Sequence, residues 1–163
     1  GCEPWRYQVH DLGMNYRLSE MHAALALSQC FTIDDRLRER QHIALQYGKY
    51  LRHPLITHVS SPGPEEDAAH LYVIRVPAEH RDPLLRHLRA KGIGAQVHYI
   101  PVHTQPYYRH CAAAGAVCLP VTERIAPQIL SLPIYSGLTS AEQLFVIACV
   151  LTFFAALTMG GRQ

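Results

Sequence analysis

Between Glu142 and Arg162 the chain carries no charged side chain, and Leu144 to Met159 is almost wholly apolar. Such a run is stable in a protein core or in a lipid bilayer, and it falls short of the roughly 20 residues that a spanning helix needs. Thr139 with Glu142 three residues on forms a capping box, so the pattern predicts a helix from about Ser140 to Leu157. The expected reading is a buried terminal helix whose outer face meets a further domain. A membrane anchor is the alternative.

The rest of the chain supplies a layer for such a helix to pack on. Its 163 residues suffice for one compact domain, and an apolar share of 48% with a charged share of 17% belongs to a folded chain. A net charge of +2 is too small to mark a nucleic-acid partner, and Arg36, Arg38 and Arg40 alternate with acids as on a solvated helix face. The five cysteines form no C-x-x-C pair, and no secretory leader is visible from Gly1 to His10. They read as reduced thiols of a cytoplasmic protein. The eleven histidines make neither H-E-x-x-H nor a finger spacing, so no metal site is expected. The chain opens on Gly1-Cys2-Glu3 without methionine and is expected to be a piece of a longer protein.

Residues 1–18 read as an irregular or extended leading segment. Ser19 is an N-cap, followed by Met21, Ala24, Leu25 and Leu27 at helical spacing. A second helical stretch covers Thr32 to Leu51, with Ile33, Leu37, Ile43, Ala44, Tyr47 and Leu51 inward and a cap from Thr32 and Asp35. The two stretches can also be read as one helix kinked near Phe31. Residues 53–69, rich in Pro, Gly and acids, read as a surface loop. His70 to Val76 reads as a strand in which Leu71 and Tyr72 pack. Asp82, Pro83 and Gly92 frame a helix as N-cap, N1 and C′, with Leu84, Leu85 and Leu88 inside. A second strand is expected at Ala95 to Tyr99. Residues 103–120 read as loop with a short helix. Leu130 to Tyr135 reads as a third, edge strand, because Pro133 cannot donate to a ladder. The fold class is α+β, a small sheet with helices packed on one side. The expected division is 1–52, a leading segment with a long helix that links to a further domain, and 53–163, the C-terminal α+β domain.

The stretch Gly13-Met14-Asn15-Tyr16-Arg17-Leu18-Ser19-Glu20-Met21-His22-Ala23-Ala24-Leu25-Ala26-Leu27-Ser28-Gln29 resembles the signature of the DegT-type sugar aminotransferases. The likeness continues through Arg38-Glu39-Arg40, through His70-Leu71-Tyr72, through Lys91 to His103, through Pro106-Tyr107-Tyr108, and through Leu130 to Tyr135. Within the family, the Gln96-Val97-His98-Tyr99 form resembles the branch that makes pseudaminic acid precursors. The resemblance implies the C-terminal small domain of a fold-type I aminotransferase, preceded by a long interface helix. It implies pyridoxal 5′-phosphate as cofactor, bound covalently by a lysine outside this chain, and a homodimer in the intact enzyme. It implies transfer of an amino group from glutamate to the C4 keto group of a UDP-linked 4-keto-6-deoxy sugar.

The resemblance assigns cofactor-phosphate contacts to Asn15, through its amide donor, and to Arg17, through its charge. Read without it, Asn15 is a turn residue ahead of the Ser19 cap. It assigns substrate contacts to Gln96, Val97, His98 and Tyr99. Alternation along a strand sends Gln96 and His98 one way and Val97 and Tyr99 the other, so one pair faces substrate while the other packs. His103, Tyr107 and Tyr108 are candidates for the pocket wall, and His70 for a supporting role. The lysines, Lys49 and Lys91, read as surface residues, so no catalytic residue is assigned. The sequence departs from the family at Cys30-Phe31-Thr32 and in the tail after about Ile147, where a changed reading frame and a genuine apolar end both remain open. A non-catalytic module that binds a nucleotide sugar, or that pairs with an intact subunit, is the alternative function.

Overall fold

The computed structural model describes residues 13–14, 16–59, 67–109 and 117–160. The chain divides into two compact units, Gly1–Asp34 and Asp35–Gln163.

The first unit contains helix α1, Glu20–Cys30. Ser19 caps it as expected, its hydroxyl accepting from the His22 N–H at 3.4 Å. No residue of α1 is buried, and Met21 (81% exposed), Leu25 and Leu27 face solvent. A turn at Phe31 and Thr32 separates α1 from α2, and the Thr32 hydroxyl donates back to the Gln29 carbonyl.

The second unit is the expected α+β layer. Helix α2 (Ile33–Tyr50) is followed by β1 (Thr57–His58), β2 (Tyr72–Arg75) and α3 (Ala78–Ala90). Next come a 3-10 turn at Val102–Thr104, α4 (Pro106–Arg109), α5 (Pro120–Ile125) and a second 3-10 turn at Ala126–Gln128. Strand β3 (Ile129–Leu132) and helix α6 (Ser140–Gly160) complete it. The sheet is antiparallel in the order β1-β2-β3, with Ile74 opposite Leu130 and Val73 opposite Ser131.

One face of the sheet makes the core. Ile74, Leu130 and Leu132 meet Ile43, Tyr47 and Leu51 of the α2 segment, Leu84 and Leu88 of α3, and Val146, Ile147, Val150 and Phe154 of α6. These positions repeat at three or four residues on each helix, the spacing of a single buried stripe. Each such side chain removed from water contributes about 1.5–3 kcal/mol. Two polar contacts fix how the helices sit. The Tyr47 hydroxyl donates to the Pro133 carbonyl at 2.9 Å, and its ring stacks on Tyr72 at 4.7 Å. The buried Gln143 amide donates to the Ile43 carbonyl at 2.7 Å. Burial pushes the Tyr47 phenol well above its ordinary range and the Tyr72 phenol up to about 12.

Helix α6 runs for 21 residues, beyond the apolar stretch that by itself falls short of a span, and is by length and composition alone long enough to cross a membrane. Here its inner stripe is part of the core, while Leu144, Phe145 and Leu157 are exposed. Its one described mid-helix hydroxyl, Thr152, donates to the Ala148 carbonyl at 2.8 Å.

Five local expectations need correction. α3 begins at Ala78, not Asp82, so Pro83 lies inside the helix and its ring takes the place of one donor. Ala95 to Tyr99 is not a strand: only Gln96 pairs, as an isolated bridge to Ser131. β3 is therefore flanked on both sides at Ser131, and it ends at Leu132, before Pro133. Residues 57–58, read as loop, pair with β2. Two expected packing residues, Ile33 and Leu71, are exposed.

Two helix ends behave as read. Gly92 has φ +77°; its N–H donates to the Arg89 carbonyl at 2.9 Å, and the Ile93 N–H to the Leu88 carbonyl at 3.0 Å. That is a Schellman motif, with Leu88 and Ile93 both buried. A Cβ on Gly92 meets nothing within 4 Å. Gly92→Ala is therefore expected to lower stability through backbone strain alone, by about 1 kcal/mol in urea unfolding. At α6, the Glu142 N–H donates to the Thr139 hydroxyl at 3.2 Å, and the Thr139 N–H donates to the Glu142 carboxylate at 2.9 Å. The Thr139 hydroxyl, and then its N–H, hold the Glu142 carboxyl below its usual range. A depressed acid stabilises the fold above its unfolded pKa and loses that effect as pH falls through its folded value. Thr139→Ala should cost about 1 kcal/mol near neutrality. Its difference from wild type in thermal melts should shrink as the medium is acidified.

Candidate functional site

The outer face of the sheet carries the site. β3 reads Ile129-Leu130-Ser131-Leu132, so alternation puts Leu130 and Leu132 into the core and turns Ser131 to the opposite face. Ser131 is nevertheless buried. Its backbone exchanges two hydrogen bonds with Gln96, at 3.0 and 2.8 Å. The segment that carries Gln96 leaves the Schellman turn of α3, so the helix end sets where it meets β3. Arg89, in the last turn of α3, holds the same segment. Its Nε donates to the Ala95 carbonyl at 3.2 Å and its Nη2 to the Gln96 amide oxygen at 2.8 Å.

Two residues on, the His98 Nδ1 lies 2.8 Å from the Ser131 hydroxyl. Gln96 and His98 thus share one wall, as alternation predicts. Val97 packs against the core. Tyr99 is 76% exposed and meets His98 edge-to-face at 4.9 Å. Beside this wall lies a cavity of about 430 Å³ lined by Gln96, His98 and Ser131, with Lys91 at the helix end, His70 and Leu71 at the start of β2, and Phe145 of α6.

Of the residues assigned by resemblance, the structure brings Gln96 and His98 together. Tyr99 is not among the lining residues, and Val97 serves packing. Arg17 is an exposed residue of the first unit, and Asn15 lies outside the described residues. His103, Tyr107 and Tyr108 do not line the cavity. His103 instead faces Glu123 at 3.1 Å. The Glu123 carboxyl is held below its usual range first by the Leu119 N–H and then by His103. Sequence reasoning missed Ser131 and Arg89. Ser131 had a signal, a small polar residue between two core leucines. Arg89 had none, because it acts through a helix end that meets the sheet only in the fold.

Pyridoxal phosphate needs a lysine, an acid facing the pyridine nitrogen and an aromatic surface for the ring. Lys91 lines the cavity, but the one carboxylate on its wall, Glu142, is committed to Thr139. Among the described residues, this cavity alone does not hold the set that the cofactor requires.

Comparison with known proteins agrees with this geometry. A family model described as DegT/DnrJ/EryC1/StrS aminotransferase matches residues 1–151. The aminotransferase TlmJ from Streptoalloteichus hindustanus superposes with a TM-score of 0.81 at 26% identity, over 94% of this chain and 41% of its own. DesV from S. venezuelae, solved in complex with a ketimine intermediate, gives 0.79 at 33% identity, over 93% and 40%. Helicobacter pylori PseC, an aminotransferase involved in the biosynthesis of pseudoaminic acid, gives 0.79 at 25% identity, over 96% and 43%. The chain spans about two-fifths of the length of these relatives. With its fold matched over nearly all of its described length and its sequence over most of the chain, it belongs to the DegT/DnrJ/EryC1/StrS aminotransferase family.

Proposed function

We propose that this chain is the C-terminal portion of a pyridoxal-phosphate-dependent aminotransferase that moves an amino group from glutamate to the C4 keto group of a UDP-linked 4-keto-6-deoxy sugar. In this reading the product is UDP-4-amino-4,6-dideoxy-N-acetyl-β-L-altrosamine, a precursor of pseudaminic acid, and the enzyme is a cytoplasmic homodimer. Residues 1–52 link the C-terminal domain to the part that carries the Schiff-base lysine, and Asn15 and Arg17 serve the cofactor phosphate. The cofactor, held elsewhere, supplies the electron sink for moving the amino group. This chain's part is to bind and orient the nucleotide sugar. Gln96 and His98 give directional contacts, and Leu71 and Phe145 add apolar surface to the cavity wall.

The observation that carries the reading is the wall formed by Gln96 and His98 beside a cavity of about 430 Å³, the size of a small-molecule site. Family membership supports the chemistry. The likeness to PseC, which acts in the biosynthesis of pseudoaminic acid, supports the sugar branch.

Calorimetric titration of UDP into the purified chain tests it. Binding is expected, and Gln96→Ala should weaken it about five- to tenfold, the loss of one neutral hydrogen bond. Treatment with pyridoxal phosphate and borohydride, followed by peptide mapping, should leave no stoichiometric adduct on Lys49 or Lys91. A wild-type chain that ignores UDP, or an adduct on either lysine, overturns the assignment.

A further inference from the structure

Among the described residues, two polar side chains are buried to about 5% exposure, Gln143 and Ser131. Gln143 has an evident structural partner in the Ile43 carbonyl. The Ser131 hydroxyl makes one hydrogen bond, to Nδ1 of His98. A serine hydroxyl carries one hydrogen and two acceptor sites. If Nδ1 held the ring hydrogen, Oγ would accept it, and the serine's own O–H would be buried with no acceptor among the described residues, which folded proteins seldom tolerate. The arrangement therefore runs one way: Oγ–H donates to Nδ1, and the ring hydrogen of the neutral imidazole sits on Nε2. Nε2 has no hydrogen-bond partner among the described residues, and the ring lines the cavity.

Gln96 obeys the same accounting. Arg89 has only donors, so the atom 2.8 Å from its Nη2 is the amide oxygen, and the NH₂ group, without a partner among the described residues, is open to a ligand. Lys91, also a pure donor, lines the same cavity. Glu142, the carboxylate of the lining, is committed to Thr139.

We infer that Ser131 is a positioning residue that fixes His98 as the Nε2–H tautomer, so that His98, Gln96 and Lys91 present N–H donors to an acceptor oxygen of a ligand, phosphate or carbonyl. The tautomer follows from hydrogen-bond accounting alone. Only the identity of the ligand rests on the nucleotide-sugar reading above.

Long-range ¹H–¹⁵N spectra of the histidine-labelled chain at about pH 9, where imidazoles are neutral, report the tautomer directly. Wild type should show a pyridine-type Nδ1 and a pyrrole-type Nε2 for His98. Ser131→Ala should relax this to a mixture of tautomers, and Ser131→Thr, which keeps the hydroxyl, should retain it. In parallel, UDP and uridine are titrated into each variant. Ser131→Ala should weaken UDP binding about three- to tenfold, with recovery in Ser131→Thr. A loss confined to UDP assigns the acceptor to the phosphates, and an equal loss for uridine assigns it to the uracil carbonyls. A pyrrole-type Nδ1 in wild type, or a His98 spectrum unchanged in a folded Ser131→Ala, overturns the inference. Should Ser131→Ala not fold, the wild-type spectrum still decides. Wild type that binds no UDP yet shows the expected tautomer overturns the nucleotide-sugar reading and leaves the Ser131–His98 device standing.

Discussion

The fold depends most on one side chain, Tyr47. Its phenol is fully buried, so its hydroxyl has to find an acceptor inside the protein. It finds the Pro133 carbonyl, just beyond the last strand, while its ring stacks on Tyr72 of the middle strand. One residue of α2 thus holds two strands at once. Tyr72 extends the connection. Its hydroxyl meets His58 Nδ1 at 2.7 Å, and His58 Nε2 donates to the Leu51 carbonyl at 2.9 Å. A carbonyl only accepts, so the ring hydrogen lies on Nε2 and Nδ1 accepts from the phenol. The chain of contacts closes from the end of α2 through β1 and β2 to the exit of β3.

That closure has a consequence on the far side of the sheet. Register in a strand is all or nothing, since a slip of one residue turns every side chain over. With Pro133 held by Tyr47, and with Leu130 and Leu132 in the core, Ser131 can only face the outer side, where it meets His98. The site is a by-product of core packing on the opposite face. The Schellman end of α3 supplies the second constraint. The left-handed Gly92 turns the chain so that Gln96 reaches Ser131 within a few residues, and Arg89 clamps the segment from the same helix end.

Much of this was legible in the residues. The Ser19 cap, the Thr139–Glu142 box, the Gly92 terminus and the inward face of α2 are local devices whose signals lie within one or two turns. Boundaries failed where long-range contacts intervened. Asp82-Pro83 looked like a helix start because both residues suit one, yet α3 begins at Ala78, and His80, ahead of both, already meets Phe154 of α6. Ala95 to Tyr99 looked like a strand because it alternates, yet only Gln96 finds a partner. Of the site, alternation correctly paired Gln96 with His98. It could not foresee that Tyr99 stays exposed, or that His103 turns to Glu123.

By itself, the sequence determined the fold class, the helix caps and the faces on which apolar residues gather, because these follow from spacing and from side-chain chemistry close along the chain; the family came from the resemblance of its motifs. Only the tertiary structure decided that β3 is flanked on both sides, that Ser131 hydrogen-bonds His98, and that Arg89 sets the orientation of the Gln96 amide. Each of those facts depends on a hydrogen bond between separate elements of the fold. Such bonds are chosen when a buried polar group takes the one partner that packing leaves within reach, and the pattern of neighbouring residues carries no record of that choice.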